Sequence, residues 1–134
     1  MYDPTVPVPD RDSAPYWGAL ARGRFEIQHC LDCGRWSWPP RPICSKCHGD
    51  NLEWRAPSGK GEVHSWVRLH RPVFPALKDL VPFKIVAVRL DEEADILIPG
   101  RLLGDPDIKQ GTRVRAVPVQ KTDEVGELLW ELDE

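Results

Sequence analysis

The sequence predicts a mainly β protein with an N-terminal helix, a four-cysteine metal-binding module, and a five-stranded Greek-key barrel of the OB type. Three observations predict it. Two C-x-x-C pairs, Cys30/Cys33 and Cys44/Cys47, stand ten residues apart, a spacing that closes a four-sulfur cage. Fourteen prolines and ten glycines cut the chain into short pieces, and no long 3.6-residue periodicity survives between them. After residue 59, five short strand-like runs follow one another across turns and one longer apolar loop.

Residues 1–13 are Pro-rich and aperiodic at the start and read as an extended arm. A helix follows over about 13–23, with Asp12 or Ser13 as its cap, Pro15 in its first turn and Gly23 as its stop. It sets Trp17, Leu20 and Ala21 on one face with Tyr16 at the edge. That face either packs on the core or docks a partner, since Trp and Tyr are favoured anchors at interfaces. Arg24–His29 and residues 51–56 are short strands flanking the cysteine module. In Gly61–His70, period-2 alternation places Val63, Ser65, Val67 and Leu69 on one face, with His64, Trp66, Arg68 and His70 on the other. Residues 71–82 hold three prolines in an apolar loop. Phe83–Leu90, about 95–103, Thr112–Lys121 and Glu127–Leu132 supply the remaining strands. The organisation is an arm over 1–13, helix and metal module over 14–57, and barrel over 58–134.

Each C-x-x-C wraps two sulfurs around one side of a metal, and two such knuckles complete a tetrahedron of the kind that zinc takes in structural sites. Gly34 and Gly49 lie just past the knuckles, where the backbone must turn tightly. Iron in the same cage is the alternative. Zinc is favoured because nothing else in the sequence marks a redox centre. Four cysteines close the shell without His29 or His48, leaving no open position for water or substrate, so the site is structural. Residues 24–56 carry too few apolar side chains for a core of their own, and metal binding on the order of 10 kcal/mol supplies the folding energy of that segment.

Residues 1–60 carry 8 Lys+Arg against 7 Asp+Glu, and residues 61–134 carry 10 against 14, giving balances of +1 and −4 that sum to the net −3. Neither half has the basic footprint that tracking a phosphate backbone demands, which opposes nucleic-acid binding by an OB-type barrel. No apolar run reaches membrane-spanning length and no secretory leader is evident, so a cytoplasmic protein is expected. His64 and His70 have no carboxylate or nucleophile obviously paired with them, and no nucleophile-elbow or phosphate-loop motif occurs. Asp91-Glu92-Glu93 with Asp95 reads as a solvated turn. The aromatics say more. Trp36 and Trp38, beside Arg35 and Arg41, have the composition of interface hot spots, and Phe74 in the 71–82 loop adds apolar surface that something must cover.

In this order, Tyr16-Trp17 with Ala19-Leu20, Cys30-x-x-Cys33-Gly34, Pro39-Pro40-Arg41, Cys44-x-x-Cys47, Trp54, Ser58-Gly59-x-Gly61-x-Val63 and the Pro-rich loop before Phe83 resemble the DUF35 family from about residue 14 to the end. The resemblance implies an N-terminal helix, a rubredoxin-like zinc ribbon and an OB-fold. It also implies a partner, because members of that family accompany thiolase-like enzymes. Some bridge a thiolase and a second CoA enzyme. Others form the C-terminal part of MaoC-type hydratase subunits in steroid degradation and associate with lipid-transfer-protein-like thiolases that act as retro-aldolases. The expectation is therefore a non-catalytic subunit in a hetero-oligomer, helping to shape an acyl-CoA site, with Tyr16, Trp17, Leu20, Trp36, Trp38 and Phe74 as interface candidates. The alternative is an acyl-CoA-binding module acting alone or as a bridge, in which Arg68, Arg71 and Lys84 meet the CoA phosphates.

Overall fold

The computed structural model describes residues 6–72 and 74–133. Residues 1–5 of the expected arm and Val73 of the apolar loop lie outside them. Helix α1 (Ala14–Ala21) begins one turn after its anchor. The Ser13 amide donates to Asp10 Oδ1 at 2.8 Å, the Asp10 amide donates to Ser13 Oγ at 3.1 Å, and the Ala14 amide returns to the Asp10 carbonyl at 2.9 Å. Of the two caps expected, Ser13 holds the N-cap position, and its side chain is spent on the reciprocal pair with Asp10 instead of on a helix amide. The amides of Arg22, Gly23 and Arg24 fold back onto Ala19 and Leu20 carbonyls to end the helix.

Three short strands, β1 (Ile27–Cys30), β2 (Trp36–Ser37) and β3 (Leu52–Arg55), form an antiparallel sheet in the order β2-β1-β3. Five more close into a barrel in the order β4-β5-β6-β8-β7: β4 (Lys60–Leu69), β5 (Phe83–Leu90), β6 (Leu97–Leu102), β7 (Arg113–Gln120) and β8 (Gly126–Leu132). All neighbours are antiparallel except β6 and β8. Closure comes where Lys60, Gly61 and Glu62 pair with Arg115, Val114 and Arg113. The loop after β4 carries a single 3₁₀ turn, η1 (Pro75–Leu77).

Strand β4 departs from simple alternation. Its register on β5 shifts between Val63 and Ser65, leaving His64 as the extra residue of a β-bulge. Before the bulge Val63 points inward opposite Val88, and both are fully buried. Beyond it Trp66 lies opposite the buried Val86, so Val67 and its partner Ile85 face outward, 60% and 37% exposed. The face that alternation assigns jointly to Val63 and Val67 is therefore split between the inside and the outside of the barrel.

One core runs through the whole chain. Val63, Val86, Val88, Leu90, Ile98, Leu102, Val114 and Trp130 fill the barrel, and Tyr16, Leu20, Phe25 and Ile27 extend that cluster into the helix and the small sheet. Although it adjoins the cysteine module in sequence, α1 packs across β7 and β8. A Cβ built at Gly126 would stand 2.2 Å from the Leu20 carbonyl carbon and 2.4 Å from the Ala21 nitrogen, so backbone meets backbone there. Gly126→Ala should force α1 off the barrel and lower stability in urea unfolding by about 1–3 kcal/mol, while leaving the metal content of the folded chain unchanged.

Candidate metal centre and docking surfaces

The two knuckles are built alike. In the first, the Cys30 amide donates to the Arg35 carbonyl and the Gly34 amide to the Cys30 carbonyl, at 2.8 and 2.9 Å. In the second, the Cys44 amide donates to the Gly49 carbonyl and the His48 amide to the Cys44 carbonyl, at 2.8 and 3.0 Å. The left-handed residue is Gly34 in the first knuckle (φ 80°) and His48, not Gly49, in the second (φ 61°). Gly49 has no such backbone demand, and a Cβ there would stand in ordinary contact, 3.4 Å from Cys47 Sγ.

This backbone converges all four sulfurs. Ligand atoms of Cys30, Cys33, Cys44 and Cys47 lie within 4.8 Å of one another, with Cys30–Cys47 and Cys33–Cys44 sulfurs 3.6 Å apart. Sulfurs held about 2.3 Å from a common tetrahedral centre stand about 3.8 Å apart, so the residues fit one four-coordinate ion. The Cys44 thiol is pulled down to about 6, first by the Cys47 amide and then by the Lys46 amide. The Gly49 amide favours the Cys47 thiolate, but its crowding against the other sulfurs and its desolvation outweigh this and push it up to about 12. Cys33 is likewise raised, its neighbouring sulfurs and desolvation outweighing the amide of Arg35. A cation held by these four residues would reverse this balance, favouring all four as thiolates. His29 stands apart from the cluster. Its ring packs on Trp36 with centroids 4.7 Å apart, and its Nδ1 lies 3.3 Å from Glu53 Oε1.

Four of the six interface candidates gather elsewhere. Tyr16, Trp17, Trp38 and Phe74 line a groove of about 590 Å³, shared with the outer face of β5 and the loop after β4. Tyr16 is buried beneath it and its hydroxyl is raised well above the usual range by desolvation. Trp38 stacks edge-on against it at 5.9 Å, and Phe74 is 42% exposed at the rim. Leu20 is fully buried in the core, so its side chain serves helix packing and is withdrawn from the surface. Trp36 stays on the small sheet against His29.

The three cation candidates for phosphates have different fates. Arg68 and Lys84 are cross-strand partners, and Asp105 reaches back from the loop after β6 to bind both. Its Oδ1 accepts from Lys84 Nζ at 2.5 Å, and its Oδ2 from Arg68 Nη2 at 2.5 Å. The Lys84 side chain is 8% exposed. Its charge and that of Arg68 are thus committed inside the chain. Arg71 is exposed and forms no ion pair among the described residues. Asp105 has no motif around it, yet a signal existed. Lys84 falls in phase with Val86, Val88 and Leu90, and a lysine on a core-facing phase requires a carboxylate.

A cysteine-caged ribbon packed onto a closed five-stranded OB-type barrel defines the class. The sequence matches the family described as "ChsH2, rubredoxin-like zinc ribbon domain" over residues 17–53 and "ChsH2, C-terminal OB-fold domain" over residues 54–119. It is 30% identical over 113 residues to a DUF35 domain-containing scaffold protein of Pyrococcus furiosus, covering 83% of this chain and 78% of that one. The chain belongs to the DUF35 family. It is also 33% identical over 130 residues to the 3-oxo-4,17-pregnadiene-20-carboxyl-CoA hydratase alpha subunit of Mycobacterium tuberculosis, covering 96% of this chain and 40% of that protein. The matches to the first two relatives span 26% and 50% of their lengths. Among solved structures, a chain of the Ltp2-ChsH2(DUF35) aldolase superposes with a TM-score of 0.81 at 26% identity, over 94% of this chain and 98% of that one. The barrel match ends at residue 119, but β8 (Gly126–Leu132) completes the closure. No helix among the described residues is long and apolar enough to cross a membrane.

Cys33→Ser should abolish stoichiometric metal by elemental analysis and collapse the dispersed amide signals of the two knuckles, while Ile27, held in the core, keeps its own. Because Cys33 and Cys47 start above the ordinary thiol value of 9.0, metal binding releases their protons, and apparent affinity should rise with pH in a chelator competition. Asp105 is held far below the carboxylate range, first by Arg68 and then by Lys84. Its contribution is complete above the ordinary value of 3.8 and shrinks as pH falls below it. Asp105→Asn should therefore lower Tm at pH 7, with the gap from wild type closing in acid. Asp91→Asn, whose pair with Arg113 is about half exposed, should move Tm by only about 2 °C or less.

Proposed function

We propose that the chain is a non-catalytic accessory subunit, with zinc fixing its ribbon, that binds and stabilises a thiolase-like enzyme acting on acyl-CoA thioesters. The observation that carries this reading is the apolar groove continuing onto an exposed apolar barrel face. Trp17, Trp38 and Phe74 border the groove, and Val67 and Ile85 lie outward on β4 and β5. Such a surface is costly to leave wet and fits a permanent protein partner. The likeness to a chain of an aldolase assembly, over nearly the full length of both, supports an enzyme as that partner. On this reading the partner is a lipid-transfer-protein-type thiolase working as a retro-aldolase, and the groove adds an apolar wall to its acyl site. The M. tuberculosis relative, whose printed name specifies a pregnadiene carboxyl-CoA, supports a steroid side chain as substrate.

The groove also favours a second reading, an acyl-CoA-binding module acting alone or as a bridge, since about 590 Å³ of apolar space accepts an acyl group. Against it, the Asp105 contacts leave only Arg71 of the three cations free to meet phosphates.

Co-purification of the tagged chain from its source should recover a thiolase-like protein in fixed stoichiometry. The double variant Val67→Asp/Phe74→Asp should keep its metal and Tm but lose that partner, with affinity weakened at least about a hundredfold. Recovery of the wild-type chain alone, carrying a CoA thioester, would overturn the first reading in favour of the second.

A further inference from the structure

The groove carries charge along its barrel side. Where α1, the ribbon and the loop after β4 supply its lining, with Trp17, Trp38, Phe74 and Leu77, the surface is apolar. Arg101 on β6, Glu127 on β8 and Lys121 just past the end of β7 line it as well, and no other lining residue among those described is charged. Strand pairing brings these three together. Glu127 lies opposite Val119, two residues before Lys121, and Arg101 lies beside Leu129, two residues after Glu127. With a period of two, all three side chains leave the barrel on one face.

Two cations there share one carboxylate. Arg101 Nε and Lys121 Nζ each stand 3.8 Å from a different oxygen of Glu127. Hydrogen bonds need about 2.7–3.2 Å, so neither nitrogen is drawn into one with Glu127, and one positive charge is left over. Arg101, Lys121 and Glu127 are partly buried, 23%, 28% and 30% exposed, and charge in such a setting is screened less than on open surface. Beside it lie about 590 Å³ of mostly apolar space, within the range of small-molecule sites that fix an apolar body with a few polar groups. We propose that the groove binds an amphiphile with a single carboxylate head, such as a free fatty acid. Its apolar body lies against Trp17, Trp38 and Leu77, and its carboxylate accepts from Arg101 and Lys121. A thioester carbonyl carries no charge for these cations, and CoA brings several phosphate charges where the groove offsets one. The inference shares the groove with the subunit role proposed above but needs no partner, so either can fail without the other.

The metal-loaded chain is titrated at constant ionic strength with sodium decanoate, 1-decanol, decyl phosphate and decanoyl-CoA, and the Trp17 and Trp38 indole N–H signals are followed by NMR. Decanoate should saturate a single site about tenfold or more tighter than decanol, a difference that hydrogen bonds to a charged group supply. Glu127→Gln should tighten decanoate and leave decanol unchanged. The double variant Arg101→Gln/Lys121→Gln should keep metal and Tm while bringing decanoate down to decanol. Equal binding of decanoate and decanol in the wild-type chain, or shifts that never saturate, would overturn the proposal. So would tighter binding of decyl phosphate or decanoyl-CoA than of decanoate, the latter moving the groove to the thioester reading. Co-purification of a thiolase-like protein is scored separately and bears on the subunit role alone.

Discussion

Burial of Trp130 is the interaction on which the other parts depend. Its indole is fully enclosed in the barrel, and Phe25, which leads into the ribbon, meets it edge-on at 6.0 Å. Strand β6 makes room for it with Gly100, where a Cβ would come within 2.7 Å of the ring. An aromatic of this size contributes the largest single block of buried apolar area a small barrel can hold. Because Phe25 and Ile27 share that core, the ribbon is anchored to the barrel by apolar contact as well as by chain connection. The metal then has a limited task. It need not create a globule from residues 24–56, only fix two knuckles on a sheet whose first strand is already held.

The cage and most strands were legible because each rests on local chemistry. Four cysteines at ribbon spacing admit few other readings, and Phe83–Leu90 was readable as β5 because Phe83, Ile85, Val86 and Val88 favour a strand. What escaped was non-local. The bulge at His64 has no compositional mark, so Val63 and Val67 were assigned one face when they occupy two. Asp105 lies 21 residues from Lys84 in sequence, and the antiparallel pairing of β5 with β6, with Ile85 opposite Arg101, brings them together. The helix was grouped with the ribbon through sequence adjacency, although Leu20 packs against Gly126 at the far end of the chain. The interface candidates divide on the same line. An aromatic residue announces a large contact area without saying whether that area faces inward, as for Tyr16, or outward, as for Phe74.

Charge is distributed unevenly over the barrel. Around the closure of β4 with β7 and β8, cations meet carboxylates in pairs such as Lys60–Asp133, Arg113–Asp91 and Arg115–Glu131. Most are half exposed, so they contribute little stability but keep that surface solvated. On the outward side of β4 and β5 beyond the bulge, Val67 and Ile85 stand opposite each other instead. On the proposed reading, that apolar side is the one a partner would cover.

The bulge connects these observations. Without the extra residue at His64, the period of β4 would carry Val67 and Leu69 onto the inward face with Val63, and Trp66 and Arg68 would point to solvent. With it, Arg68 is turned to the side where Lys84 and Asp105 meet, and Val67 is turned out. One inserted residue thus produces both a charged latch closing over the core-facing side and an apolar face beside the groove. Removing it would exchange the two sets of side chains and place an arginine where the apolar face now lies. On the proposed reading the bulge is part of the surface that would meet a partner, and Arg89 and Gln110, which reach His64 at 3.1 and 3.4 Å, hold it in register.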